Sequence, residues 1–228
     1  MFLSDRDIRL ALATGQLIVH PVPTEIDTTG IDVHLDKIDE ARIWDTTAYA
    51  DQQARAGHSP VLKVGRFKHK AFAKEFEVPI PRQSEMEHGG LVYRDGETVI
   101  IKPGGFFLWQ TREMIGTPEI DPRLICFIDG KSTRARTGIV VHMTAPTIHA
   151  GWWGQVTLEI ANLGPFDLGL CEGDAIAQIT VAYISSPPSK HKNVQGVAIG
   201  QRNVTGGSNA VMPDEGKLKP GRKQKPKN

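Results

Sequence analysis

The chain has 228 residues, 39% of them hydrophobic and 23% charged, which is the composition of a globular protein large enough for one domain with a core. Its net charge is +1, but residues 217–228 hold six lysines and arginines and no acid, so the first 216 residues carry −5. An acidic body argues against binding of polymeric nucleic acid, and the absence of any apolar run of about 18 residues argues against a membrane protein. We therefore expect a soluble protein that binds a small anionic ligand.

The first predicted element is a helix. Ser4 is a suitable N-cap, Asp7 follows three residues later, and Gly15 is placed to end the helix. Short β-type runs separated by Gly, Pro and Asp come after it: Ile31–Leu35, Thr98–Lys102, Phe106–Thr111, Leu124–Ile128, Ile139–Met143, Gln155–Ala161 and Ala175–Tyr183. This pattern predicts a mainly β fold, a sandwich, jelly roll or distorted barrel.

Two segments do not follow the β pattern. Tyr49–Gly90 has no clean period and is predicted to be a lid or an insertion with a helix of its own. We assign residues 1–204 to the folded domain and residues 205–228 to a flexible basic tail. Cys126 and Cys171 each lie in an apolar stretch, so we expect unpaired thiols and a cytoplasmic protein.

One carboxylate lies on the polar face of a predicted strand. In Gln155–Ala161, Val156, Leu158 and Ile160 alternate onto one face, and Glu159 lies on the other. A mid-strand carboxylate most often only faces solvent, so the alternation alone does not assign Glu159 a function.

The basic turn Asp129–Arg136 is the second feature with chemical potential. It is not a nucleotide-triphosphatase phosphate loop, because Ile125 stands where that motif requires glycine. Its three cations, two hydroxyls and backbone amides suit a triphosphate, although a solvated basic loop would have the same composition.

Taken together, these segments resemble the dCTP deaminases of the dUTPase-like superfamily. The resemblance is carried, in matching order and spacing, by Asp129–Arg136, Val141–Ala145, Gly151–Gly154, Thr157–Glu159 and Asn162. Flanking matches are Leu3–Ile8, Ile31–Leu35, Lys102–Gly104, Phe107–Leu108 and Lys190–Gly196, whereas residues 36–97 match little.

The resemblance implies a dUTPase-like distorted β-barrel or jelly roll that forms a homotrimer with active sites between subunits. It implies hydrolysis of dCTP to dUTP and ammonia in pyrimidine deoxynucleotide metabolism, with dTTP as a candidate inhibitor. Glu159 would activate the attacking water, Ser132 and the Ala145 carbonyl would hold it, and Arg136 would steady Glu159. The nucleotide and its Mg²⁺-bound phosphates would be contacted by Lys131, Ser132, Thr133, Arg134, Ala135, Arg136, His149, Thr157, Leu158, Lys190 and Gln195.

The residue chemistry is compatible with this reading. Zinc-dependent deaminases need a His-x-Glu and a Pro-Cys-x-x-Cys pattern, and the chain has neither, so we expect no zinc and no metal held by protein side chains. A partly desolvated carboxylate with a raised pKa can take a proton from water and return it to nitrogen. We expect His142, on an apolar strand, to bond a neighbouring carbonyl in a structural role.

One departure keeps alternatives open. His149 stands where the resembled enzymes carry an aspartate, which is the water-activating residue in dUTPases. The sequence therefore leaves three rivals to a monofunctional deaminase: a dUTPase, a bifunctional enzyme that releases dUMP and pyrophosphate, and a non-catalytic nucleotide-binding regulatory module.

Overall fold

A computed structural model describes residues 1–66, 68–86 and 89–189. Within these ranges the helices are α1 (Asp5–Ala13), α2 (Thr46–Arg55), α3 (His69–Phe76) and α4 (Ser132–Ala135), with 3₁₀ turns at Ile38–Glu40, Val64–Arg66 and Gln83–Glu85. The strands are β1 (Ile18–His20), β2 (Gly30–His34), β3 (Arg42–Trp44), β4 (Glu77–Pro79), β5 (Val92–Asp95), β6 (Thr98–Ile101), β7 (Phe106–Gly116), β8 (Leu124–Gly130), β9 (Ile139–Val140), β10 (Thr147–Ile148), β11 (Trp153–Asn162), β12 (Leu168–Cys171) and β13 (Ala175–Tyr183).

The described strands form three sheets. The largest has the order β4-β3-β7-β11-β9, with β1 also paired to β7. The second has the order β10-β8-β13-β2, and the third has the order β12-β6-β5. The prediction of a mainly β fold is therefore confirmed.

The core lies against one face of the longest strand pair, β7 and β11. Phe107 and Trp109 of β7 and Leu158 and Ile160 of β11 are fully buried, as the alternation in Gln155–Ala161 predicts. Because side chains alternate across a strand, this burial turns Glu159 away from the core.

The N-terminal helix is confirmed with its predicted ends. The backbone N–H and hydroxyl of Ser4 both donate to the Asp7 carboxylate, and Ile8 and Ala11 face the core. Gly15 has a φ of +70°, a left-handed conformation that favours glycine after a helix.

Each predicted strand overlaps an observed strand, but two differ clearly in length, and the short strands β1, β3, β4, β5, β10 and β12 were not predicted. Strand β7 continues to Gly116, beyond the predicted Thr111. The run Ile139–Met143 is a strand only over Ile139–Val140, and the chain then continues irregularly past β11. In the insertion the structure contains two helices, α2 and α3. The prediction of an insertion with a helix of its own therefore agrees with the structure, although the bounds of the helices were not predicted and no α2 residue is buried.

The two cysteines agree with the sequence-based expectation. Cys126 is buried, Cys171 is partly buried, and both are free thiols, as predicted. Within the described ranges, the helices are all too short or too polar to cross a bilayer. The predicted domain boundary at residue 204 lies outside the described residues.

Candidate active site

Glu159 lies in the middle of β11, opposite Leu108 of β7. Its side chain is 34% exposed, so the carboxylate is partly desolvated and still accessible to a ligand. On the other edge, β11 pairs with β9 only at Ala161 and Asn162, so among the described residues the strand edge before Ala161 is not covered by a sheet neighbour.

His142 lies directly against the Glu159 carboxylate. Val140 pairs with Ala161, and continuing that antiparallel register past the end of β9 places His142 opposite Glu159. The His142 Nδ1 lies 2.8 Å from the Glu159 Oε2, and the imidazole is only 7% exposed. The contact falls outside hydrogen-bond geometry, and both atoms are buried without another partner. The contact is an ion pair when the imidazole is protonated, and it leaves this carboxylate oxygen without a well-formed hydrogen bond.

The second nitrogen of this imidazole contacts the Ala145 carbonyl, one of the two groups predicted to hold the attacking water. His142 Nε2 lies 2.7 Å from the carbonyl oxygen of Ala145. The structural prediction for His142 is thus confirmed in its carbonyl bond, but the ring also separates Glu159 from Ala145. Since both nitrogens face acceptors, the doubly protonated cation satisfies the arrangement best.

The two side chains shift each other's pKa. Burial on its own raises the pKa of Glu159, but the adjacent His142 outweighs it, together with the backbone N–H groups of Glu159 and Met143, and the result is a lowered pKa. Burial lowers the pKa of His142, but the Glu159 carboxylate and the Ala145 carbonyl raise it above its ordinary value. The raised pKa expected for Glu159 is wrong for this arrangement, because the imidazole of His142 contacts the carboxylate directly and favours its charged form.

These opposite shifts predict a pH window for stability. Because the pKa of Glu159 is lowered in the folded state, its stabilising contribution is present above the ordinary value of 4.5 and is lost as the pH falls through the lowered pKa. Because the pKa of His142 is raised, its stabilising contribution is present below the ordinary value of 6.5 and is lost as the pH rises through the raised pKa. The difference in free energy of unfolding between the wild-type protein and Glu159→Gln should therefore be largest between pH 4.5 and pH 6.5. Urea unfolding across pH 4–9 measures this difference, and a difference independent of pH would contradict the ion pair.

The basic turn of the sequence forms the short helix α4 after β8. Ser132, Thr133, Arg134, Ala135 and Arg136 are all exposed. Lys131, directly before them, forms an ion pair with Asp32 of β2. Among the described residues, neither Ser132 nor Arg136 forms a hydrogen bond or ion pair with Glu159. Within one chain, the cation beside the carboxylate is His142 and not the predicted Arg136.

Two glycines fix the end of this basic turn against the end of β11. The backbone N–H of Leu163 donates to the carbonyl of Gly138 at 2.9 Å. A Cβ on Gly164 would lie 1.9 Å from the Thr137 carbonyl oxygen, and one on Gly138 would lie 2.2 Å from the Gly164 Cα. Only glycine therefore allows the two backbones to come this close.

Substituting Gly164 with alanine should move the turn away from β11. We expect a loss of about 1–3 kcal/mol in the free energy of unfolding, since backbone must shift to admit the methyl group. Urea denaturation measures the loss. Gly65→Ala is the matched control, because a Cβ there would meet nothing within 4 Å, and an equal effect of both variants would contradict the close approach.

The other predicted nucleotide contacts are distributed unevenly. Thr157 is partly buried on the Glu159 face, opposite Gln110, whereas the Leu158 side chain is fully buried in the core, so that only its backbone is available to a ligand. His149 is exposed in the loop between β10 and β11, and its carbonyl accepts from the Trp152 N–H at 3.1 Å. Lys190 and Gln195 lie outside the described residues. These nucleotide contacts stay predictions.

A metal ion held by protein side chains would need several ligating groups close together. Nowhere in residues 1–66, 68–86 and 89–189 do three or more His, Cys, Asp or Glu side chains cluster as metal ligands would. A triphosphate that carries its own cation needs no such cluster, because phosphate oxygens supply the ligands.

Comparison with known proteins places this arrangement in context. Residues 2–184 match the sequence profile of the dCTP deaminase-like family. A dCTP deaminase of Thermomicrobium roseum is 33% identical over 193 residues, covering 82% of each chain. A dUMP-forming dCTP deaminase of Dictyoglomus thermophilum is 27% identical over 216 residues, covering 90% of this chain and 96% of that one. The crystal structure of a 2'-deoxycytidine 5'-triphosphate deaminase from Agrobacterium tumefaciens aligns with a TM-score of 0.49 and 18% identity, over 79% of this chain and 47% of that chain.

Proposed function

Since the chain belongs to the dCTP deaminase-like family, we propose that it hydrolyses dCTP to dUTP and ammonia with Glu159 as the catalytic carboxylate. The single observation that supports this most is the Glu159 carboxylate itself. It is partly buried, faces away from the core, and has an oxygen without a well-formed hydrogen bond. Such a group is suited to take up a water molecule and its proton.

The proposed reaction needs one proton carrier. Glu159 takes a proton from water while the hydroxyl oxygen bonds to C4 of cytosine, and the electron pair of the C4=N3 double bond moves onto N3, giving a tetrahedral centre. The carboxyl group then returns that proton to the amine. The pair on N3 re-forms the double bond to C4 as the bond to the amine breaks, ammonia leaves, and the proton on the new hydroxyl moves from O4 to N3 to give uracil. Ser132 and the Ala145 carbonyl would orient the water, and Arg136 would stabilise the carboxylate and the developing charge.

The position of His142 sets a condition on this chemistry. Its ring occupies the space between Glu159 and the Ala145 carbonyl, which is where the attacking water would lie. We propose that the segment Val141–Ala145 shifts when dCTP binds. Without the imidazole, burial raises the pKa of Glu159, which is the direction that proton uptake near neutral pH requires.

The exposure of Ser132 and Arg136 supports a site shared between subunits. Both side chains point to solvent in the single chain, and a second copy can bring them to Glu159. We propose a homotrimer in which the basic turn Asp129–Arg136, called the α4 turn below, of one subunit completes the site on β11 of the next. In this arrangement the nucleotide would contact Lys131, Thr133 and Arg134 through its phosphates, and His149, Thr157 and Leu158 through its sugar and base.

Mg²⁺ is proposed to enter with the triphosphate and to neutralise part of its charge. The described side chains fit this role, because the exposed cations of α4 can bind phosphate oxygens left free by the metal. We propose that no zinc takes part, that dTTP is a candidate inhibitor, and that the free thiols Cys126 and Cys171 suit a cytoplasmic location.

The test is a product analysis. Purified full-length protein is incubated with dCTP and Mg²⁺, without added zinc, and ammonia, dUTP, dUMP and pyrophosphate are quantified together. Ammonia with equal dUTP supports the proposal. Ammonia with dUMP and pyrophosphate would assign the chain to the dUMP-forming type found among its relatives, and no ammonia would contradict deamination of dCTP.

A further inference from the structure

A cleft that does not include Glu159 lies in the insertion. Helices α2 and α3 and the segment between them enclose a volume of about 720 Å³. This is the size range of small-molecule sites, which is roughly 300–1,000 Å³. None of the residues that line it belongs to the α4 turn or to the group around Glu159.

One wall of this insertion cleft is aromatic. The Tyr49 ring lies 5.5 Å from Phe72 and 5.4 Å from Phe76, centroid to centroid, and Phe72 and Phe76 are 4.9 Å apart. Trp44 of β3 packs on Phe72 at 5.3 Å, which anchors the cluster to the large sheet. The rings therefore support one another and form a firm apolar surface.

The rim of the insertion cleft is cationic. Lys63, Arg66 and Lys68 line it and are exposed. The ion pairs formed by the described residues include none of these three side chains. Glu75 is the one carboxylate on the described lining, and it accepts a hydrogen bond from Gln52. In a body with a net charge of −5, this is a local concentration of positive charge that forms no ion pair within the described ranges.

We propose that the insertion cleft binds a nucleoside phosphate, with the base against Tyr49 and Phe72 and the phosphates at Lys63, Arg66 and Lys68. Every nucleobase can stack on an aromatic side chain, and guanidinium and ammonium groups bind phosphate oxygens. An aromatic wall beside a cationic rim fits this ligand class better than an apolar peptide, which would leave the cations unused. The amide groups of Gln52 and Gln53 supply further hydrogen-bonding capacity at the cleft.

Binding of ATP to the full-length protein tests the proposal, with isothermal titration calorimetry as the readout. We expect one ATP per chain at the insertion cleft, and a loss of affinity of about ten-fold or more in Lys63→Glu/Arg66→Glu, since two charge-assisted contacts are removed. Lys70→Glu/Lys74→Glu is the matched control. It makes the same charge change on exposed α3 residues that do not line the cleft.

The aromatic half of the cleft is tested separately. Tyr49→Ala should weaken ATP binding, and Tyr49→Phe should retain it, because only the ring is needed for stacking. Inorganic pyrophosphate that binds as tightly as ATP would overturn the nucleoside assignment, and equal losses in the two double variants would overturn the cleft. Loss of ATP binding in Arg136→Ala would place the ATP at the α4 turn and overturn the proposal as well. The measurement does not depend on deamination, so the two proposals fail independently.

Discussion

Replacing Glu159 with glutamine should lower the rate of dCTP deamination by about 10³-fold, within the range that general acid–base groups contribute. Glutamine keeps the shape and hydrogen-bonding capacity of the side chain but cannot take a proton from water. We expect the affinity for dCTP to change little, because the phosphates are to be bound elsewhere, at the α4 turn. The contrast between lost turnover and retained binding is the mark of a proton-transfer residue.

The measurement pairs a continuous ammonia assay with dCTP binding by calorimetry. Glu97→Gln is the matched control, because it makes the same chemical change on a side chain that is 87% exposed and remote from β11. Wild-type turnover in Glu159→Gln would show that the catalytic group lies elsewhere. Lost binding together with lost turnover would instead assign Glu159 a role in holding the nucleotide.

Co-expression of two inactive variants should restore activity. Arg136→Ala lacks the proposed arginine and Glu159→Gln lacks the carboxylate, so oligomers of either variant alone should be inactive. In mixed oligomers, some interfaces join an intact Glu159 from one chain to an intact Arg136 from its neighbour. A trimeric ring that contains both variants has one complete site out of three, so the doubly purified oligomers should recover about a third of wild-type activity.

This recovery separates a shared site from a site within one chain. The two variants carry different affinity tags, and the doubly purified oligomers are assayed for ammonia release. No recovery in verified mixed oligomers would show that Arg136 and Glu159 act within the same chain. That result would require α4 to move towards β11 of its own subunit, because the two side chains are not in contact there.

His142 links these expectations to the state that the structure shows. Its imidazole contacts both Glu159 and the Ala145 carbonyl, so the described arrangement lacks room for water between those groups. It also gives the carboxylate a lowered pKa, which favours an ion pair over proton uptake. In this structure the carboxylate proposed to be catalytic is therefore paired with His142, and the pH-dependent stability predicted above is a property of that pairing.

The sequence by itself determined the longer strands, the N-terminal helix, the family and the orientation of Glu159, but not the short strands β1, β3, β4, β5, β10 and β12. These follow from local signals: the capping residues around Ser4, the two-residue alternation of Val156, Leu158 and Ile160, and the spacing of the basic turn. A period of two fixes which face a side chain occupies, but it does not identify the neighbour on the next strand.

Only the tertiary structure decided the contacts between distant segments. It placed His142 against Glu159, Lys131 on Asp32, and Gly138 on Gly164. The first of these could have been found by extending the register of two predicted strands, but that register was not known from the sequence. The aromatic cluster of the insertion joins Tyr49 of α2 to Phe72 and Phe76 of α3, and the sequence predicts a helix in this region but not the packing of two helices. Pairings of this kind are set by packing over long sequence separations, which local propensity and alternation do not encode.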